Sequence, residues 1–205
     1  MSLRSTRGFS LIEMLIAMGV SSLLVAAMMS LFSTQRRVYA IREQVAEMQQ
    51  DARAGMDFMV REITMAGYDP TNNAAAGIVT AAAGTIRFTM DLNGDGDTVD
   101  ANEEVTYILY DADGDGDQDL GRDPGAPGAP GGGTQLIAEN VPALAFVYRL
   151  ADGTTTSTPA DLSQIRGLDV SLTIRTAKPD PQYASNNGYR TRVLTTRVQI
   201  RNLGL

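Results

Sequence analysis

Residues Phe9 to Phe32 form a run of 24 apolar or small residues broken by one carboxylate, Glu13, and no other stretch limits the chain's options as much. As a helix rising 1.5 Å per residue, this run is about 36 Å long. That is enough to cross the hydrocarbon core of a bilayer with some tilt. The preceding residues, Met1 to Gly8, carry Arg4 and Arg7 and no acid, which keeps that end cytoplasmic and sends the bulk of the chain across. The run is longer than the apolar stretch of about 7 to 15 residues in a cleavable secretory signal. An acid inside such a span costs roughly 2.5 to 3.5 kcal/mol at the helix centre and less toward the end, where Glu13 lies. Keeping it there requires a partner. A cut between Gly8 and Phe9 would create one, because the new α-amino group is a cation four residues from Glu13, or within reach of a neighbouring chain's Glu13.

The chain has 205 residues with no Cys and no His, which removes Ser-His-Asp and Cys-His nucleophilic sites, imidazole or thiolate zinc sites, and histidine general bases. Its formal charge is −7, unevenly spread: residues 91 to 123 hold 12 of the 24 acids and a single base, Arg122. A nucleic-acid binder shows a basic stripe. Here the concentrated charge is negative, so cations or basic partners are the expected ligands, not nucleic acid.

Beyond Phe32 the chain turns polar, while apolar residues recur in steps of three and four at Val38, Ile41, Val45, Met48, Ala52, Met56, Met59, Ile63 and Ala66. That is an amphipathic helix continuing the apolar one, its Met stripe read as packing. Gly67 suits the position just past a helix end, and Pro70 follows. Residues 71 to 84 read as a connecting loop with a short strand near Ile78. Ile86, Phe88 and Met90 then share one face, "VTYILY" follows at 105 to 110, and further strands are expected around Leu136 to Ile137 and at "ALAFVYRL". The clearest alternation places Leu168, Val170, Leu172 and Ile174 inward against Asp169, Ser171, Thr173 and Arg175. Near the end, Leu194, Val198 and Ile200 oppose Arg197, Gln199 and Arg201. One face buried and one wet predicts an antiparallel β-sheet packed on a long N-terminal α-helix, an α+β fold. "GRDPGAPGAPGGG", residues 121 to 133, is expected to be a loop, being too rich in Gly and Pro for helix or central strand. The outward arginines of the last strand either pair with Asp169 or face a partner subunit.

"DLNGDGD" at 91 to 97 and "DADGDGD" at 111 to 117 are near-repeats. Oxygen-bearing side chains at positions one, three, five and seven, with Gly at six, are what a calcium loop needs for its ligands to converge on a hard cation. The twelfth positions are Asn102 and Arg122, with Glu103 and Asp123 one step late, and strand patterns flank both loops. They are therefore not EF-hands. The expected metal ligands are Asp91, Asn93, Asp95 and Asp97, then Asp111, Asp113, Asp115, Asp117 and Asp119. The plainer alternative is a pair of acidic solvated turns, for which Asp and Gly are ordinary residues.

"RGFSLIEMLIAM" resembles the signature of the type IV prepilin family: a short basic leader ending in Gly, then Phe, then a hydrophobic run with Glu at the fifth mature position. The resemblance implies cleavage after Gly8 by a prepilin peptidase, N-methylation of Phe9, and pairing of Glu13 with the amino terminus of an adjacent subunit. It also implies a leader at 1–8, a transmembrane and filament-core helix at 9–32, an amphipathic half at 33–67, and a β-rich domain at 68–205 with acidic loops at 91–104 and 111–123. Less specifically, "MAGYDP", the two acidic insertions and "VQIRNLGL" are similar to minor pilins of the PilW type, which are related to pseudopilin J of type II secretion. Such subunits are expected to start as single-pass inner-membrane proteins and to meet other major and minor pilins, an inner-membrane assembly platform and a tip adhesin. They end in an extracellular pilus or, for a pseudopilin, a periplasmic pseudopilus. A membrane-anchored calcium-binding adhesion module that does not polymerise is the rival reading. An anchored hydrolase working through paired carboxylates is disfavoured, since a sugar cleft is built with aromatics and the chain has no Trp.

Overall fold

The computed structural model describes residues 8–125 and 133–203. The leader residues Met1 to Arg7 and positions 126–132 of the Gly/Pro-rich segment lie outside the described residues. One helix, α1 (Leu11–Met65), runs through two compact units, residues 1–43 and 44–205. The first unit is the apolar part of the helix and the polar turns after it. In the second unit, the rest of the helix shares a core with two antiparallel sheets.

Helix α1 stops where the sequence provides a stop. Gly67 takes φ +76°, a left-handed conformation that lacks steric cost only for glycine, and its N–H donates to the Thr89 carbonyl at 2.9 Å. A Cβ at Gly67 would also stand 2.6 Å from Leu203. The helix contributes a buried stripe of Met48, Ala52, Gly55, Met56, Met59 and Ile63, at the spacing read from the sequence. Fully burying each large apolar side chain is worth about 1.5 to 3 kcal/mol, so this stripe is a main source of stability for the second unit.

The first sheet is a meander of β1 (Ile78–Ala81), β2 (Ile86–Thr89), β3 (Glu104–Tyr110), β4 (Asp119–Asp123) and β5 (Gln135–Ala138) in sequence order. The second contains β6 (Ala143–Leu150), β7 (Thr155–Thr156), β8 (Ile165–Arg175) and β9 (Thr191–Gln199) in the order β7-β6-β8-β9. The expected single sheet is thus two. The chain changes sheets at residues 139–142, where Asn140 adopts φ +57°. The sheets stay tied, since Phe146 N–H donates to the Ala83 carbonyl at 2.8 Å and Tyr148 Oη donates to the Ala82 and Thr85 carbonyls. Arg197 does meet Asp169, its register partner across β8 and β9, at 2.9 Å.

A second correction concerns residues 121 to 133. Gly121, Arg122 and Asp123 are not loop but the end of β4, an interior strand between β3 and β5. Gly121 is required there, because a Cβ would come within 2.7 Å of the Tyr110 ring and 2.5 Å of Thr134. The strand's inward residues are Leu120 and, against expectation, Arg122, which is 3% exposed. Its guanidinium grips Glu62 of α1 with Nε at 2.9 and 3.0 Å and Nη2 at 2.8 Å, and Nη1 donates to Gln135 Oε1 at 3.2 Å. Tyr107, the register partner of Arg122, donates its hydroxyl to the same carboxylate at 2.5 Å. Burial, and then the charge of Glu62, push the Tyr107 hydroxyl well above its ordinary pKa and keep it a donor. The buried arginine therefore has a bidentate partner, which offsets its desolvation.

Removing one member of a buried pair strands the other. Glu62→Ala or Arg122→Ala is expected to lower the stability of the chain from residue 37 onward by about 3 to 5 kcal/mol in denaturant unfolding. The apolar double replacement Glu62→Leu with Arg122→Met should cost less than either single change. Equal or additive losses would show that the pair acts through something other than mutual compensation.

Candidate functional site

Gly8 and Phe9 lie just before α1, and Glu13 is the third residue of that helix. Phe9 is 88% exposed, and Gly8 is exposed beside it. Ser10 precedes the first helical residue, and its N–H and Oγ both donate to Glu13 Oε2 at 2.9 Å. The Glu13 N–H donates back to Ser10 Oγ at 3.3 Å. This reciprocal arrangement is a capping box, in which the acid three residues into the helix satisfies backbone donors that the helix itself leaves unpaired. "SLIE" carries the capping-box signal, whereas the charge of Glu13 pointed to the α-amino group freed by a cut after Gly8, of its own chain or of a neighbour. The acid therefore has a local reason to sit at this helix start, compatible with a later role toward another chain.

Past Glu13 the apolar side chains are exposed around the whole helix, including Met14, Met18, Leu23, Met28 and Phe32. By length and composition this helix is able to cross a membrane. A surface apolar on every side is stable only in lipid or under other protein.

The two acidic loops share one internal design. In each, the first aspartate accepts from the N–H groups three and five residues on: Asp91 from Gly94 at 2.6 Å and Gly96 at 3.1 Å, Asp111 from Gly114 at 2.7 Å and Gly116 at 3.0 Å. All four glycines have positive φ. A second, buried carboxylate then holds the residue after that aspartate. Glu103 accepts from Leu92 N–H at 2.8 Å, and Asp119 accepts from Ala112 N–H at 3.0 Å and Asn140 N–H at 2.9 Å. Glu103 and Asp119 are 1% and 4% exposed, so these acids are internal acceptors and not solvated charges.

The expected ligands separate accordingly. Asp91 is fully buried in its turn, and Asp119 belongs to β4. Asp117 pairs with Arg175, and Asn93 donates to Asp95 at 3.0 Å and Asp100 at 2.7 Å. The Asn93 amide is the first cause that holds the Asp95 carboxyl below its usual range. Among the described residues, two exposed groups have carboxylate oxygens within 4.8 Å of one another: Asp95, Asp97 and Asp100 in one loop, Asp111, Asp113 and Asp115 in the other. These could converge on a hard cation through oxygen ligands alone. Asp100 was not singled out by sequence, Glu103 was noted only as one step late for a twelfth ligand, and Arg175 only as an outward strand residue. An acid inside an acid-rich turn gives no sign of whether it points inward.

Residues 3–29 match the model of the prokaryotic N-terminal methylation motif. No curated protein matches the chain. Among solved structures, the type IV-like pilin TTHA1219 from Thermus thermophilus aligns with 76% of this chain and 98% of its own, at a TM-score of 0.49 and 15% identity.

The capping box makes a local prediction. Glu13→Ala removes the acceptor for both Ser10 donors and should cost the helix start about 1 kcal/mol, seen as roughly fivefold faster amide exchange at residues 10 to 13 in lipid vesicles. Glu13→Gln, which keeps an acceptor, should lose less. Identical exchange in all three proteins would remove the cap from the account.

Proposed function

We propose that this chain is a prepilin: a structural subunit held in the inner membrane by residues 9–32, cut after Gly8 by a prepilin peptidase, methylated on Phe9 and assembled with other pilins into a filament. The observation that carries this reading is the methylation motif at a helix start where Gly8–Phe9 is accessible, Glu13 lies one turn on, and the apolar surface beyond is exposed on every side. The chemistry supports a structural and not a catalytic role, since the chain has neither Cys nor His.

Within that class, the likeness of "MAGYDP", the acidic insertions and "VQIRNLGL" to PilW-type subunits supports a minor pilin that helps to initiate assembly on the inner-membrane platform beneath a tip adhesin. A type II secretion pseudopilin is the close alternative. In the assembled state, Glu13 would exchange part of its capping role for the ammonium group of a neighbouring Phe9, so the acid would serve both stages. We further propose that the exposed carboxylates of the two loops take up calcium in the exported domain.

Intact-mass spectrometry of the protein from its native host tests the first proposal. The mature chain should begin at Phe9 and carry one added methyl group. Retention of Met1 to Gly8 in the assembled or surface form contradicts the prepilin reading and favours a non-polymerising anchored module.

Calcium is tested by melting the chain from residue 37 onward. Ligand bound only to the folded state stabilises by RT ln(1 + [L]/Kd), so a site of about 10⁻⁴ M affinity in 1 mM calcium adds about 1.4 kcal/mol per site. The melting temperature should rise in calcium relative to chelator and rise little in magnesium, which keeps its waters and demands octahedral geometry. Asp113→Asn with Asp115→Asn should remove part of the response. Equal melting in calcium and chelator, with no heat of binding, would leave both loops as solvated turns.

A further inference from the structure

At the end of the second sheet where β8 begins, three guanidinium groups gather around a shallow cleft of about 230 Å³ bordered by Arg149, Arg166, Gly167, Arg197, Val198 and Gln199. Two of them share one acid. Arg149 donates to Asp169 at 2.6 Å and Arg197 to the same carboxylate at 2.9 Å, and these hydrogen bonds, that of Arg149 first, hold the Asp169 carboxyl below its usual range. Arg166 spends Nη1 on the carbonyls of Ser163 and Ile165, neutral acceptors that do not offset its charge, and forms no ion pair among the described residues. The Arg197 side chain is 68% exposed. Three cations and one anion leave the cleft with a net positive charge facing solvent.

The opposite end of β8 carries the opposite sign. Arg175, its last residue, pairs with Asp117 of the second acidic loop and stacks on the Tyr189 ring at 4.0 Å from the centroid. The exposed Asp111, Asp113 and Asp115 belong to that loop, and Asp119 holds its base to Ala112 and Asn140. Arg166 and Arg175 are nine residues apart on one strand, about 30 Å at 3.3 Å per residue. The acidic loop, held to Arg175 at its own end of β8, cannot fold back onto Arg149, Arg166 and Arg197 of the same domain. It can reach those of another.

We propose that the cleft at Arg149, Arg166 and Arg197 is a docking site for the Asp111–Asp119 loop of a second copy of this chain. Guanidinium groups bind carboxylates through charge-assisted, often bidentate hydrogen bonds, and here the excess of one sign meets an excess of the other. The contact joins two different surfaces, so it is heterologous and repeats in one direction without closing on itself unless its rotation happens to form a ring. It is a property of the exported domain and stands whether or not the N-terminus is processed. Carboxylates engaged this way are not free for calcium, so the contact is tested in chelator.

The test uses the full chain in membrane vesicles, with two differently tagged copies. The natural sequence has no Cys, so Gln199→Cys in one copy and Ala112→Cys in the other provide the only thiols for a short bis-maleimide. At low ionic strength a product carrying both tags is expected. It should fall at least fivefold when the first copy also carries Arg166→Glu and Arg197→Glu, and equally when the second carries Asp113→Arg and Asp115→Arg in its exposed loop. Combining the two reversals should restore the product to within twofold. The proposal is overturned by absence of the mixed product, by equal product between two Gln199→Cys copies, by insensitivity to either reversal, or by failure of the combination to recover. It is also overturned if the product depends on anionic vesicles and vanishes in zwitterionic ones, which would assign the arginines to lipid headgroups.

Discussion

Burial of one face of α1 between Met48 and Ile63 is the contact on which the domain depends. The inner faces of both sheets, with Ile86, Phe88, Val105 and Tyr107 on one and Phe146, Tyr148, Leu168, Val170 and Leu172 on the other, belong to a single core that includes this stripe. A half-apolar sheet cannot remain stable with that face in water, so the helix is what allows the two sheets to exist. The bidentate Glu62–Arg122 pair adds direction to an otherwise non-directional contact, since it is satisfied only when α1 sits in one register over β3 and β4. The same helix carries no such stripe from Leu11 to Phe32, where its apolar side chains are exposed all round. One continuous helix therefore works in two solvents.

The acidic loops follow from a related constraint. A turn with five aspartates in nine residues holds together only if some of those charges are used internally. Asp111 does so through two glycine amides and Asp119 through two further amides, and Asp91 and Glu103 repeat the scheme in the other loop. What remains outward is a compact group of carboxylates at a fixed place on a rigid domain. That placement, more than the amount of charge, is what a cation or an arginine-bearing neighbour would recognise.

Much of this was legible in the sequence wherever a period was clean. The three- and four-residue steps from Val38 to Ala66, Gly67 at the helix end, and the alternation in β6, β8 and β9 all correspond to elements of the structure. Strand β4 was hidden because one of its inward residues is Arg122, whose partner Glu62 lies 60 positions earlier, and because Gly121 looked like the start of a flexible segment. The division into two sheets turns on the conformation of residues 139–142, which no periodicity reports. At the candidate sites, the helix-start motif was readable residue by residue. The capping partner Ser10 is equally readable, since Ser followed three residues later by Glu is the capping-box pattern. The inward or outward sense of each acid in the loops depended on which backbone amides the fold would bring near it.

Hydrogen–deuterium exchange of the full chain, in lipid vesicles and in mild detergent, tests the division of α1 most directly. Residues 44 to 65 should exchange at the slow rate of β8 in both media, because they open only when the shared core opens. Residues 11 to 32 should be protected in vesicles and should not follow the rate of β8 when the surroundings change. Fast exchange at 44 to 65 while β8 remains protected would contradict the account, since the sheets would then hold their core without the helix.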